Sequence, residues 1–322
     1  MNSIKEQLNH TLKEFSLNLS KDSYSGKVRE NYYLDDKIVM ITTDRVSAFD
    51  HILGTIPFKG EVLTQVAKFW FEKTKHIAPN HYISDPDPQV LLTLKAKPLP
   101  VEIIVRGYIT GSLWRDYSKG INNQYGFKIP DNMVKDQKFD NPIITPTTKA
   151  EYGEHDEAIS KEEIISELVD KDIYEKAEKY AMDLYLEGQK WANERGLILV
   201  DTKYEFGMIG DELYVIDEIH TPDSSRYWVK DQYEERFKAG ESQLMLDKEN
   251  IRQWLIEKGF SGEGTPPELS NDIRILLSEK YMELYKVLTG ENFAPSFGDV
   301  DSRIIKNLKE NNLMHQEDIN EG

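Results

Sequence analysis

Residues 201–228 read DTKYEFGMIGDELYVIDEIHTPDSSRYW, and the alternation inside this stretch decides the fold class. Asp201, Lys203 and Glu205 alternate with Thr202, Tyr204 and Phe206, so three charged side chains share one face of a predicted strand. Gly210-Asp211 marks a turn, and residues 213–219 read as the return strand carrying Asp217. A two-residue loop would put Glu205 and Asp217 on opposite faces. A three-residue loop, Gly210 to Glu212, sets them directly across from each other and gathers Tyr204, Phe206, Tyr214 and Ile216 on the apolar face. The cleaner separation makes the second register the expected one. Facing carboxylates repel by roughly 0.2–1 kcal/mol. A magnesium ion carrying nucleotide phosphates would relieve them. An ordinary solvated strand face shows the same alternation, so the rest of the chain has to arbitrate.

At 322 residues the chain is long enough for two domains. The N-terminus mixes charge through its apolar positions. It reads as an amphipathic helix with Ser3 and Glu6 spaced as a capping box, not as a signal peptide. No apolar run approaches the length of a membrane helix, so no membrane partner is expected. The chain has no cysteine, which excludes disulfides, thiolate catalysis and cysteine-ligated metal and fits a cytoplasmic protein. A formal charge of −17 argues against a nucleic-acid partner and makes each local basic cluster more informative.

The first hundred residues read as sheet-rich: strands at 24–34 and 37–43 around Asp35-Asp36, further pieces at 51–57, 81–83 and 90–94, and a helix at 63–74. The run Lys97-Pro98-Leu99-Pro100 is the expected linker. It divides the chain into an N-terminal part, 1–100, and a second part, 101–322. A buried-type strand, VEIIVRGYI, follows the linker. Residues 120–158 are loop-rich. A capping box at Ser160 and Glu163 opens a helical region that runs to about residue 195 with a break near Lys171, and helical periodicity returns after residue 247.

Several clusters carry possible chemistry. Gly26, Lys27, Val28 and Arg29 lie in SGKVR, where a glycine between cations could cover phosphates or make an ordinary turn. Residues 43–50, TDRVSAFD, follow an apolar strand and suit a ligand-facing loop, or a surface turn in which Asp44 pairs with Arg45. In RGYITGSLWR, Gly111-Ser112 could open a helix whose free N–H groups bind an anion, with Arg106 and Arg115 supplying bidentate contacts. Lys149, His155 and Asp156 sit in one long loop that is either functional or disordered. Thr221 to Arg226 again joins hydroxyls, a turn and an arginine. Together these favour a phosphorylated substrate and a magnesium-bound nucleotide.

In order along the chain, SGKVRE, TTDRVSAFD, VEIIVRGYITGSLW, ITPTTKAEYGEHDE, LVDTKYEFG and VIDEIHTPDSSRYW closely resemble the motifs of the phosphoribosylaminoimidazole-succinocarboxamide synthase (SAICAR synthetase) family. The resemblance implies an α+β fold of two lobes. One is a small antiparallel-sheet lobe related to the kinase N-lobe; the other is a larger ATP-grasp-like lobe with C-terminal helices, and ATP lies in the cleft. It implies a purine-biosynthesis ligase that joins carboxyaminoimidazole ribonucleotide (CAIR) to L-aspartate and yields ADP and phosphate through an acyl phosphate. It implies ATP and Mg²⁺, with Gly26, Lys27, Val28 and Arg29 at the nucleotide phosphates, Glu102 near adenine, and Glu205 and Asp217 on the metal. Arg106, Ser112 and Arg226 would hold the ribonucleotide. Lys149, His155 and Asp156 would contact substrate, the last two beside aspartate, and Lys203 and Asp201 would lie at the reacting groups. Oligomeric state is left open. A kinase or ligase acting on another phosphorylated substrate, and a nucleotide-binding module without turnover, are the alternatives that these residues also allow.

Overall fold

The computed structural model describes residues 3–16, 20, 22–48, 51–149, 156–245, 254, 255, 258–260 and 264–314. The elements run α1 (Ile4–Gln7), β1 (Ser23–Ser25), β2 (Arg29–Tyr33), β3 (Lys37–Thr42), β4 (Arg45–Ala48), β5 (His51–Thr55), α2 (Lys59–Thr74), β6 (Tyr82–Asp87), β7 (Val90–Leu94) and β8 (Lys97–Tyr108). They continue with α3 (Gly111–Ser118), β9 (Lys138–Ile144), β10 (Thr147–Thr148), α4 (Lys161–Glu163), α5 (Lys171–Asn193), β11 (Leu197–Ile209), β12 (Glu212–Ile216), β13 (Ser225–Val229), α6 (Lys230–Ala239), α7 (Asn271–Thr289) and α8 (Val300–Glu310). The fold is α+β with antiparallel sheets, as expected. Among the described residues no helix is long and apolar enough to cross a membrane.

The chain divides into two compact units. The first comprises Met1–Phe69, His81–Lys95 and Leu246–Gly322, so the C-terminal helices group with the N-terminal sheet and not with the second part, where the sequence placed them. Its sheet has the order β1-β2-β3-β7-β6. Val39, Ile41, Val90 and Leu92 point from this sheet into a core shared with Val300, Ile304 and Leu308 of α8. Those three recur at helical spacing, which is why α8 docks by one face. The capping box at Ser3 and Glu6 is present, but the expected amphipathic helix is a single turn.

Charge is buried inside this unit, and among the described residues it is met by partners. The Asp87 side chain is fully buried and accepts hydrogen bonds from Arg303 Nε (3.0 Å) and Asn307 (2.6 Å) of α8. Asp44 and Arg45, expected in a ligand-facing loop, are buried as well. Asp44 accepts the backbone N–H groups of Leu12 and Gly60. Arg45 pairs with Glu30 and donates to the carbonyls of Gly26 and Lys27. The TTDRV motif is therefore a scaffold for the SGKVR turn, because buried charges have to be paired or hydrogen-bonded.

The second unit comprises Trp70–Asn80 and Ala96–Met245. Its sheet has the order β10-β8-β11-β12, with β13 on β11 and β9 on β8. The helix α5 packs on one face through Ala177, Ala181, Leu184, Tyr185 and Gly188, a spacing of three and four. The predicted break before α5 and the second capping box are both present.

Two expectations fail here. The linker Lys97–Pro100 is the first third of β8, a twelve-residue strand. Proline lacks a donor but keeps its carbonyl, and Pro100 O accepts the Lys149 N–H at 3.0 Å. The hairpin register is the other. Ile209 pairs with Glu212 and Glu205 with Ile216, so the loop has two residues, Gly210 and Asp211, and Glu205 does not face Asp217 across the ladder. The return strand stops at Ile216, and Asp217 adopts a left-handed φ of 64°.

Candidate functional site

Antiparallel pairing of β8 with β11 builds one charged sheet face. Asp201 pairs with Arg106, Lys203 with Ile104, and Glu205 with Glu102. Paired residues point the same way and alternate residues share a face, so Glu102, Arg106, Asp201, Lys203 and Glu205 all stand on the side away from Tyr204. The acid directly opposite Glu205 is thus Glu102, from a strand outside the hairpin.

At one end of this face Lys203 bridges the two glutamates, with its ammonium 2.5 Å from Glu102 and 3.2 Å from Glu205. Lys149, carried in from the end of β10, contacts the second oxygen of Glu205. Asp217 interacts electrostatically with both lysines. Strand parity along β12 would send its side chain to the face opposite Glu205, but the strand ends at Ile216 and Asp217 takes a left-handed φ of 64°, outside that parity. Glu205 and Asp217 thus both act on Lys203 and Lys149, although the expected register does not form. Asp156 is exposed and acts electrostatically on Glu102, while His155 lies outside the described residues.

The acids titrate apart. Burial pushes Glu102 up to about 7, and the neighbouring Glu205 adds to the rise against the pull of Lys203. Burial would raise Glu205 too, but Lys203 and Lys149 outweigh it and take Glu205 down to about 2. Lys203 in turn is held well above its ordinary range: burial lowers it, and Glu205, Glu102 and Asp217 more than compensate. At neutral pH this end of the face holds an ionised Glu205 between two ammonium groups.

The other end carries arginine. Arg106 is buried and donates to Asp201 (3.0 Å), to Thr145 (2.8 Å) and to Ser112 (3.3 Å). Arg226 reaches the same oxygen of Asp201 at 3.4 Å. The helix α3 begins at Gly111, as its sequence suggested. A Cβ on Gly111 would sit 2.6 Å from the Arg226 guanidinium, so glycine is what lets the arginine lie against the helix start. Thr145, which the sequence offers only as the start of the 145–149 stretch with no role of its own, holds Arg106 in place. Gly26, Lys27, Val28 and Arg29 belong to the first unit, where the Gly26 N–H bonds Arg29 O at 2.8 Å and closes the β1–β2 turn.

One sheet face with a carboxylate–ammonium cluster at one end and an arginine pair beside a helix start at the other defines a ligand-binding α+β protein for anionic, phosphorylated molecules. The chain belongs to the SAICAR synthetase family, whose sequence model matches residues 22–267. The phosphoribosylaminoimidazole-succinocarboxamide synthase of Bacteroides thetaiotaomicron is 47% identical over 304 residues, covering 92% of this chain and 97% of its own. That of Cytophaga hutchinsonii is 46% identical over 313 residues, covering 96% and 99%. Among solved structures, the SAICAR synthase of Saccharomyces cerevisiae complexed with SAICAR superposes with a TM-score of 0.76 at 34% identity, covering 87% of this chain and 96% of that one. A SAICAR synthetase in complex with ADP gives a TM-score of 0.64 at 25% identity, covering 86% of this chain and 100% of that one.

Proposed function

We propose that this chain joins the carboxylate of CAIR to the amine of L-aspartate, consuming ATP and releasing SAICAR, ADP and phosphate. The observation that carries this reading is the single sheet face on which Glu102, Lys203 and Glu205 meet at one end and Asp201, Arg106 and Arg226 at the other, with Asp217 acting electrostatically on Lys203, in a chain of this family.

A carboxylate resists attack by an amine because it would have to expel oxide. Phosphorylation converts that oxygen into a leaving group, and the amine then displaces phosphate from the acyl phosphate. Such transfer depends on positioning and charge neutralisation more than on a protein nucleophile. Arg106, Arg226 and Ser112 grip the phosphate and carboxylate of the ribonucleotide. Gly26, Lys27, Val28 and Arg29 hold the ATP phosphates, and Glu102 contacts the nucleotide base. Lys203 neutralises charge at the reacting groups, and Asp201 takes the proton of the aspartate amine. Lys149, His155 and Asp156 stand on the aspartate side. Glu205 and Asp217 fit Mg²⁺: they are carboxylates already drawn to cationic groups, and two such donors completed by phosphate oxygens are the set this ion takes. Bound there, Mg²⁺ supplies charge neutralisation for the phosphate oxygens.

ADP release from Mg·ATP should require CAIR and aspartate together. Full-rate ADP release without aspartate, or with another carboxylate in place of CAIR, would overturn this reading.

A further inference from the structure

We infer that His220 is a positioning residue, anchored on the back of the sheet, that sets the connection from Asp217 to Arg226 so that both side chains reach the charged face. The inference rests on the reading of Asp217 and Arg226 as metal and ribonucleotide contacts.

The connection leaves the ladder after Ile216 and contains two left-handed non-glycine residues, Asp217 and His220, with φ of 64° and 53°. That conformation is uncommon outside glycine and persists where surrounding contacts impose it. His220 has such contacts on several sides. Its side chain is fully buried on the Tyr204 side of the sheet, with Nε2 2.5 Å from the Tyr204 hydroxyl. The Trp70 indole packs edge-on against the ring at 4.5 Å. The Tyr227 hydroxyl donates to the His220 carbonyl at 2.9 Å. On α5, Gly188 makes the space: a Cβ there would come within 2.4 Å of the imidazole. The chain thus dips to the back face at His220, three residues after Asp217, and returns to the front at Arg226, which pairs with Asp201.

Burial holds the His220 imidazole down to about 3, so the ring is neutral at working pH and grips by shape and one hydrogen bond, not by charge. Nδ1 is buried with no hydrogen-bond partner among the described residues. An ordinary core histidine would tolerate an apolar residue of similar size without consequence for ligands. A positioning histidine would not, because the loop would relax and carry Asp217 and Arg226 with it.

The test compares His220→Leu, His220→Gln and Tyr204→Phe in the full chain. His220→Leu should raise both the Mg²⁺ concentration for half-activation and the KM for CAIR on the order of tenfold, with the KM for aspartate changed by less than about twofold. Gln can still reach the Tyr204 hydroxyl and should restore most of the loss. Tyr204→Phe, which deletes only the hydroxyl, should raise the same two constants about threefold. A His220→Leu variant that melts earlier but keeps both constants would overturn the inference. If that variant does not fold, unchanged constants in Tyr204→Phe overturn it instead. The underlying reading fails separately: Asp217→Asn and Arg226→Gln would then leave the Mg²⁺ and CAIR dependence intact. If those two act and the His220 and Tyr204 variants do not, only the role of His220 is lost.

Discussion

TTDRVSAFD and LVDTKYEFG look alike on paper: each follows or ends an apolar strand and mixes acids with bases. In the folded protein they do opposite things. Asp44 is met by two backbone N–H groups, and Arg45 by Glu30 and backbone carbonyls. Those partners are fixed parts of the chain, so the charges are locked into the scaffold. Lys203, Glu205 and Glu102 are met chiefly by one another and by Lys149, all through side chains, and both lysines keep about a third of their surface exposed. Side-chain partners can be exchanged for a ligand; backbone partners cannot. The kind of partner, more than the presence of charge, separates a buried scaffold from a site.

That contrast can be broken at four points, taken from the largest effect down. Asp217→Asn should reduce turnover by roughly a thousandfold in an ADP-release assay while circular dichroism stays native. Near-normal activity would remove Asp217 from the site. In the scaffold, Arg303→Met strips a fully buried carboxylate, Asp87, of its charged partner. It should cost ~3 kcal/mol in urea unfolding with kinetic constants unchanged under native conditions. A kinetic defect at intact stability would mean that this network also serves the reaction. Arg226→Gln should lower kcat/KM for CAIR about thirtyfold, ~2 kcal/mol, mostly through KM. An effect confined to aspartate would reassign it.

The smallest effect is a pH slope. Burial pushes Glu61 up to about 7 from its usual 4.5, against the pull of Arg303 and Ser296. Between those values the folded protein keeps a proton that the unfolded chain has released. The stabilisation is complete below the window and is lost as pH rises through it. Glu61→Gln should therefore flatten the decline in unfolding free energy, measured in urea, from about pH 5 to about pH 8, by an amount on the order of 1 kcal/mol. A steeper decline in the variant would reverse the assignment.

Much of this was legible in the chain. The alternation of residues 201–206 gave the charged face, both capping boxes are where their spacing put them, and Gly111 opens a helix. What escaped was decided by long-range partners. The alternation could not reveal that Glu102, about a hundred residues away, is the acid opposite Glu205, because pairing between distant strands leaves no local mark. Apolar separation favours the three-residue loop only if Asp217 stays in the strand, and the strand ends at Ile216. Prolines read as a linker because their local signal is a break, yet β8 uses their carbonyls. The TDRV loop read as a ligand site because burial cannot be seen in a run of polar letters.

The sequence by itself determined the alternating faces, the helix starts, the absence of thiol chemistry and the family, since all of these are carried by residue type and spacing. Tertiary structure alone decided which acid meets which lysine, where the return strand ends before Asp217, and which unit holds the C-terminal helices. The reason is that local order follows from steric preference over a few residues, whereas the partner of a charge is whichever group the packed strands bring within a few ångströms.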